Sequence, residues 1–394
     1  MIVTHLSLTD FRNYRAAEVA LVAGSNLFVG SNGQGKTNLV ESLAYLSTLG
    51  SHRVSVDHAM IRQGTDSAVI RARLEHGARQ ILVEVQLNRS SLNRAQVNRS
   101  VIKTRELPRY FSSVLFAPED LALIRGDPAG RRRFLDELLV LRSPRIAAVI
   151  ADYERVVRQR NTLLKSARAS GMRDDSLSTL DIWDERLIAF GSQLIEARTA
   201  LVAELSPEVS HAYTSIAGED HHAMLGNQLS IFGGRSGADS AGEEDVDAGG
   251  LSYGRLTAED AAAAFTEALA DRRRNELERG ITLVGPHRDD LVLELNSLPA
   301  RGYASHGESW SFALALKLAS AVLLRRDSST GDPVLMLDDV FAELDGARRI
   351  RLAAAIRGFE QVLITAAVLD DVPDELTGNT VHISRGTIVE QGLS

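Results

Sequence analysis

Eight residues, Gly30-Ser31-Asn32-Gly33-Gln34-Gly35-Lys36-Thr37, carry the clearest chemistry in this chain. They fit the pattern G-x-x-x-x-G-K-[ST], in which glycines let backbone N–H groups close around phosphate oxygens. The lysine then reaches the outer phosphates and the hydroxyl meets Mg2+. An acidic pair fits the same chemistry. Val334-Leu335-Met336-Leu337 runs apolar into Asp338 and Asp339, as a buried parallel strand does when it presents a carboxylate at its C-terminal edge. Asp338 there suits Mg2+, held through water. Asp339 is placed to orient an attacking water, and its short side chain predicts slow hydrolysis.

Positioning these groups requires a strand, a glycine loop and a helix in that order. Leu27-Phe28-Val29 supplies the strand, and Asn38–Leu46 carries apolar residues at helical spacing. An accidental Gly/Asn-rich β-to-α turn is the alternative, disfavoured by these flanks. A further anion site is predicted in Ala304-Ser305-His306-Gly307-Glu308-Ser309, directly before the helical run from Phe312. Since the chain already has one phosphate loop, this site is expected to cap a nucleotide held by a second copy. Gln361–Thr365 reads as a further buried strand ending at the same edge.

The 394 residues accommodate two domains or one with an insertion, and 44% hydrophobic with 24% charged residues is ordinary for a folded protein. Cysteine is absent, which excludes disulfides, thiol catalysis and cysteine metal sites. The opening Met1–Leu8 alternates like a strand and lacks signal-peptide character. No stretch reaches about 18 uninterrupted apolar residues, so a cytoplasmic protein without a membrane span is expected. A net charge of −8 argues only weakly against nucleic acid, because the charges are segregated.

Along the chain, residues 1–50 read as β-β-loop-α, with Arg12 and Tyr14 in the turn between strands. These two either stack on or pair with a nucleotide, or form a solvated turn with one anchoring aromatic. Alternation from Ala68 to Val101 predicts antiparallel strands whose polar face carries Arg71, Arg73, Arg89, Arg94, Arg99, Lys103 and Arg105. That face is either a phosphate-backbone footprint or a solvated surface. Arg131, Arg132 and Arg133 open a helix after Pro128, where their charge opposes the helix dipole. A phosphate, a DNA backbone or the carboxylates of Glu119, Asp120 and Asp136 would compensate them.

Pro144–Leu205 is helical, with seams on Ile146, Val149, Tyr153, Val156 and Leu163 and on Leu180, Trp183, Leu187, Phe190, Leu194, Ala197 and Leu201. Two facing helices of about 24 residues, roughly 36 Å long, make a short arm with a turn at Ser170–Ser176. A Gly/Ser/acid-rich loop follows at 233–250, then a helix over Ala258–Arg279. Strand patterns return at Ile281–Val284 and Leu291–Leu295, around the turn Gly285-Pro286-His287-Arg288-Asp289-Asp290. A helical block between β-rich blocks indicates an insertion into a split fold.

Three stretches give the chain a resemblance: Pro118–Leu121 with Gly126-Asp127-Pro128 and Arg131–Asp136; Gly285–Leu291; and Leu337-Asp338-Asp339-Val340-Phe341-Ala342-Glu343-Leu344-Asp345. With Phe11-Arg12-Asn13-Tyr14, they resemble the ATP-binding-cassette ATPases of the SMC type, and within them the RecF family of bacterial recombination-repair and replication proteins. The resemblance implies an α/β fold. A P-loop ATPase head of mixed and parallel sheets with flanking helices would carry an inserted, short, coiled-coil-like helical arm. The head would span 1–125 and 281–394, the arm 126–280.

It also implies ATP and Mg2+ as cofactors, an ATP-dependent homodimer, and weak DNA-stimulated hydrolysis. Partners would be DNA at single-strand gaps and junctions or as duplex, RecR and RecO, and indirectly RecA, in recombinational repair and the SOS response. Carried over, Gly30–Thr37 are the Walker A loop, Asp338 the Walker B acid and Asp339 the water-positioning residue. Ser305, Gly307 and Glu308 belong to the signature loop that acts across the dimer, and Asp345 to the D-loop. Apart from the resemblance, Arg71, Arg73, Arg131, Arg132 and Arg133 are candidates for contact with DNA.

Two departures stand out. Ser309 and Trp310 occupy the place where the signature usually continues with glutamine and a basic residue, and Thr365 stands where transporter cassettes carry a switch histidine. A transporter cassette has no place for the arm, a metabolic P-loop kinase no need of residues 304–309, and a structural SMC-like linker would need longer heptad runs.

Overall fold

The computed structural model describes residues 1–170, 178–218, 221–233 and 250–393. The acidic stretch Glu243-Glu244-Asp245 and the turn at 171–176 lie outside them. The N-terminal part contains β1 (Ile2–Phe11), β2 (Tyr14–Ala20), β3 (Gly24–Val29), α1 (Lys36–Thr48), β4 (Ser67–His76), β5 (Arg79–Asn88), β6 (Arg94–Val97), β7 (Ser100–Ile102) and β8 (Ser113–Phe116). The middle contains α2 (Leu121–Arg125), α3 (Pro128–Arg142), α4 (Ile146–Ser170), α5 (Ser178–Ala217), β9 (Ala223–Gln228), β10 (Leu251–Ser252), α6 (Ala258–Arg279), β11 (Asp290–Leu295), β12 (Leu298–Pro299) and α7 (Ala300–Tyr303). Then follow α8 (His306–Asp327), β13 (Val334–Asp338), α9 (Gly346–Ile356), β14 (Gln361–Ala366), β15 (Asn379–Ser384) and β16 (Thr387–Leu393).

Two compact units emerge. The first comprises Met1–Leu121, His211–Asp220 and Ser305–Ser394; the second, Ala122–Ser210 and His221–Ala304. In the first, a sheet of order β16-β15-β3-β14-β13-β8 is parallel except for β16. All residues of β13 and β14 are buried, as expected for parallel strands covered on both faces. A second sheet, β2-β1-β4-β5-β6-β7, is antiparallel. Its alternation puts Val3, Leu6 and Leu8 of β1 with Ile70 and Leu74 of β4 into the core and leaves Arg73 outside. Helix α1 lies against both sheets, its Leu39, Val40, Leu43 and Leu46 completing that core. Helix α8 is apolar on all sides because it is a core helix. It is long and apolar enough to span a membrane, yet 78% of that stretch is buried inside the protein.

The second unit departs from the expected all-helical arm. It contains an antiparallel sheet, β10-β9-β11-β12, and β11 pairs with β9 along its whole length. Residues 281–304, expected in the C-terminal part of the head, therefore belong to this unit. The reason is physical: a lone amphipathic strand must find a ladder partner, and β9 supplies it. Helix α5 is also longer than expected, 40 residues with Pro207 inside. Helix α6 packs on α4, and Arg160, fully buried, pins three helices together. Its guanidinium donates to Asp184 (2.7 Å), Glu276 (2.6 Å) and the Thr282 hydroxyl (3.0 Å).

Candidate functional site

The glycine loop leaves β3 at the C-terminal edge of the parallel sheet and enters α1 at Lys36. Gly35 has φ +118°, and a Cβ there would fall 2.8 Å from Asn13 Nδ2 and Tyr14 Oη, so this position is restricted to glycine. Gly30 is equally constrained, because a Cβ would lie 2.3 Å from the Ile383 carbonyl oxygen. Lys36 is buried, and its ammonium donates to Gly30 O (2.8 Å) and reaches Asn32 Oδ1 (3.5 Å). It thus spans its own loop, as a cation does above a phosphate cradle.

Tyr14 is the aromatic that anchors this turn, fully buried, while Arg12 is partly buried and Asn13 and Arg15 are exposed. The Arg12 guanidinium grips Glu41 of α1 with bonds of 2.8 and 2.5 Å and donates to Ala59 O. Glu41 is fully buried; burial alone would raise its carboxyl, but Arg12 and Ser51 hold it below the ordinary range. The buried Tyr14 hydroxyl donates to Gly35 O (3.1 Å), and Asn13 Nδ2 donates to Gln34 O (3.0 Å). From the other side, Arg385 N and Gly386 N donate to Gln34. The β1–β2 turn and the β15–β16 turn thus fix the loop's shape.

Beside it, Asp338 ends β13 in register with Thr365 of β14. The Thr37 hydroxyl donates to Asp338 Oδ1 (3.0 Å), and the Thr365 hydroxyl donates to the same oxygen (2.7 Å). Thr365 Oγ1 in turn accepts from Asp339 N (2.9 Å). Burial pushes the Asp338 carboxyl up to about 6, with Asp339 and Glu119 adding to the rise and the two threonines opposing it. Asp339 sits in the left-handed region at φ +52°, with Oδ1 buried, without a hydrogen-bond partner and 4.0 Å from Lys36 Nζ.

Sequence reading places Thr365 at the end of a buried strand on this edge, and as standing where a histidine is absent, but gives it no role in the site. Glu119, after β8, is a second such residue, its charge acting on Asp338. Both were visible only as polar residues at the ends of apolar strands.

Magnesium and a nucleotide polyphosphate fit this donor set. Three oxygen-bearing side chains meet beside a buried ammonium, Asp339 has an unmet oxygen, and the loop glycines exclude side chains. Next to the loop, Arg12, Asn13, Asn38, His58, Ala59, Ile61, Gln63 and Arg89 line a cavity of about 430 Å3. Among the described residues, no cluster of three or more His, Cys, Asp or Glu resembles a separate metal site.

Ser305 N-caps α8 in a reciprocal capping box: Ser305 Oγ accepts from Glu308 N (3.3 Å) and Glu308 accepts from Ser305 N (2.7 Å). Asp345 N-caps α9 by accepting from Arg348 N (2.9 Å), the leading cause of its lowered carboxyl. Ser309 donates to Ser305 O (2.8 Å), and Trp310 is buried.

The arginines expected to contact DNA divide. Arg131 is 4% exposed and makes a two-pronged pair with Asp290, both bonds 2.7 Å. Arg132 donates to Asp289 O (2.7 Å), and Arg133 pairs with Glu137. Asp290 and Glu137 thus compensate Arg131 and Arg133, and Asp290, Asp289 and, as expected, Asp136 favour the charge of Arg132. Asp120 pairs with Lys317 and Asp136 with Arg198. Arg131, buried and paired, is corrected as a DNA contact. On β4, Arg71 pairs with Glu84, whereas the Arg73 side chain is exposed.

A glycine loop facing a buried acid across a parallel sheet, with an antiparallel sheet beside it, is the head of an ATPase of the ATP-binding-cassette/SMC type. Residues 2–378 match the family model described as the RecF/RecN/SMC N terminal domain. The DNA replication and repair protein RecF of Clavibacter sepedonicus is 68% identical over 393 residues, covering 99% of this chain and 95% of that protein. That of Leifsonia xyli subsp. xyli is 66% identical over 390 residues, covering 99% and 100%. The chain belongs to the RecF family. A solved structure described as the recombination mediator protein RecF-ATPrS in the RecFOR pathway superposes with TM-score 0.84 at 25% identity, over 99% of this chain and 98% of that one. An Smc head domain from Pyrococcus furiosus shares the fold at TM-score 0.52 and 13% identity, over 98% and 94%.

Proposed function

We propose that this chain is an ATP-dependent DNA-binding protein of recombinational repair and replication, for which ATP is a switch for dimerisation. The observation that carries this is the convergence of the Thr37 and Thr365 hydroxyls on Asp338, beside Lys36 and the unmet oxygen of Asp339. Support also comes from the RecF relatives, named for DNA replication and repair, and from the RecF structures described with ATPrS and with ATP.

Gly30–Thr37 hold the phosphates, with Lys36 neutralising their charge. Thr37 and Asp338 hold Mg2+, and Thr365 keeps Asp338 aimed. The cavity beside Asn38 takes the nucleoside end. Bound Mg2+ supplies charge neutralisation at the outer phosphates. Asp339 orients a water, and Lys36 keeps its carboxylate anchored. Ser305, Gly307 and Glu308 at the start of α8, with Asp345, engage the nucleotide of a second copy. The resulting head-to-head dimer holds DNA at single-strand gaps or junctions, hydrolyses ATP slowly under DNA stimulation, and works with RecR and RecO in loading RecA. It acts in the cytoplasm, during repair and the SOS response. Arg71, Arg73, Arg132 and Arg133 remain on the proposed DNA-facing set.

The test is light scattering of wild type and Lys36→Arg with ATP and Mg2+, with and without gapped DNA. Wild type should dimerise and hold DNA in a salt-sensitive way, and the variant should not. A monomer indifferent to DNA would refute the clamp and favour a small-molecule phosphotransferase.

A further inference from the structure

The first turns of α8 and α9 meet through one side chain. Arg348, in the first turn of α9, donates from Nη1 to Asp345 Oδ2 (3.0 Å), while its own backbone N–H donates to the other Asp345 oxygen (2.9 Å). Its guanidinium lies against Gly307: a Cβ built there would fall 2.8 Å from Nη1 and 3.3 Å from both Cζ and Nη2. Nε is buried without a hydrogen-bond partner.

This placement runs against local electrostatics. A cation in a helix's first turn is disfavoured by the dipole, and here one guanidinium faces two helix N-termini. Nearby, its counter-charge is Asp345, whose side chain is 55% exposed. A buried, unmet donor is a cost that local stability does not explain. The contact does achieve one thing: it couples the first turn of α8 to the first turn of α9 through the one position, Gly307, that offers no side chain.

We propose that Arg348 is a positioning residue that locks the loop at 305–308 to Asp345, so that both present to the nucleotide of a second copy as a single unit. This rests on the trans role given to those loops above. Arg348 itself touches no nucleotide. It acts through Gly307 and Asp345, and Gly307 is glycine so that the guanidinium has a surface to lie on. Adding a methyl group at 307 displaces the flexible end of Arg348, which breaks the link at little cost to the fold.

The experiment measures two quantities for wild type, Arg348→Ala, Arg348→Lys, Gly307→Ala and the Ala/Ala double variant. Sedimentation with ATP and Mg2+ gives the dimer dissociation constant. Titration of a fluorescent ATP analogue at concentrations below dimerisation gives the affinity of the lone chain. Arg348→Ala should weaken the dimer by about tenfold or more, the scale of one charge-assisted hydrogen bond, while lone-chain affinity and melting temperature stay near wild type. Lysine should restore part of the loss, because it keeps the pair with Asp345 but not the flat contact with Gly307. Gly307→Ala, which changes the nucleotide-engaging loop itself, should weaken the dimer at least as much, and adding Arg348→Ala to it should cost nothing further. Additive losses, or a variant that melts early and binds ATP poorly with an unchanged dimer constant, would overturn the link. Wild type that stays monomeric would remove the trans reading and the link with it, whereas a dimer indifferent to Arg348→Ala removes the link alone.

Discussion

Replacing Thr365 by valine tests whether β14 contributes to the site or merely supports it. The change keeps the branched shape and deletes the oxygen that donates to Asp338 Oδ1 and accepts from Asp339 N. A hydrogen bond to a charged group contributes about 1.5–3 kcal/mol. Since 1.4 kcal/mol is one decade in an equilibrium or rate constant, Mg2+-dependent ATP turnover should fall about 10- to 100-fold. The loss should appear in kcat and in the Mg2+ concentration needed for half-maximal rate, because Asp338 loses one of the two threonines that aim it. Nucleotide affinity in EDTA, which depends on Gly30–Thr37, should change less than threefold on the same scale. The assay is steady-state phosphate release across a Mg2+ titration, paired with nucleotide binding in EDTA. A variant with unchanged Mg2+ dependence, or one whose metal-free affinity collapses equally, would refute the role given to Thr365.

Other outcomes follow from the same geometry. Arg160→Ala strands the fully buried Glu276 and should cost about 3–5 kcal/mol, seen as a lower urea midpoint. Arg73→Ala should weaken DNA binding across sequences and reduce the salt slope by about one, whereas Arg131→Ala should show chiefly as lost stability through the unpaired Asp290. Arg12→Ala should leave the buried Glu41 with only Ser51 and the more distant Arg53, and lower both melting temperature and ATP affinity. The pair at Gly285–Asp290 predicts a hidden pH dependence: burial holds His287 down to about 3 and pushes Asp289 up to about 6. A depressed histidine contributes stability that is full above its unfolded value near 6.5 and lost as pH falls. A raised aspartate contributes stability that is full below about 4 and lost as pH rises to about 6. The two slopes, each about 1.4 kcal/mol per pH unit, oppose between about pH 4 and 6. Asp289→Asn should therefore unmask the histidine, giving a steeper loss of stability on acidification in denaturant titrations; equal slopes in both proteins would refute the opposition of the two titrations.

The sequence by itself determined the chemistry. A glycine pattern between an apolar strand and a helix, and an apolar strand ending in two acids, are local signals. The backbone freedom and the burial they need are encoded within a few residues. The order of elements and the presence of an insertion were legible for the same reason. What tertiary structure alone decided are the partners. That Thr37 and Thr365 meet on one oxygen of Asp338 depends on β14 lying between β3 and β13, and strand order is set by packing of surfaces distant in sequence. Arg12 and Tyr14 could be read as solvated or nucleotide-facing until the fold set Tyr14 under the glycine loop and Arg12 on Glu41 of α1, at the wall of the cavity beside the loop. Arg131, one of three adjacent arginines, found its carboxylate 159 positions away. The insertion's sheet was missed because β9 and β11 lie more than 60 positions apart with α6 between them, and a strand without its neighbour carries only a weak local pattern. Charge and hydroxyl positions specify what a site can do, and long-range packing selects which of them come together.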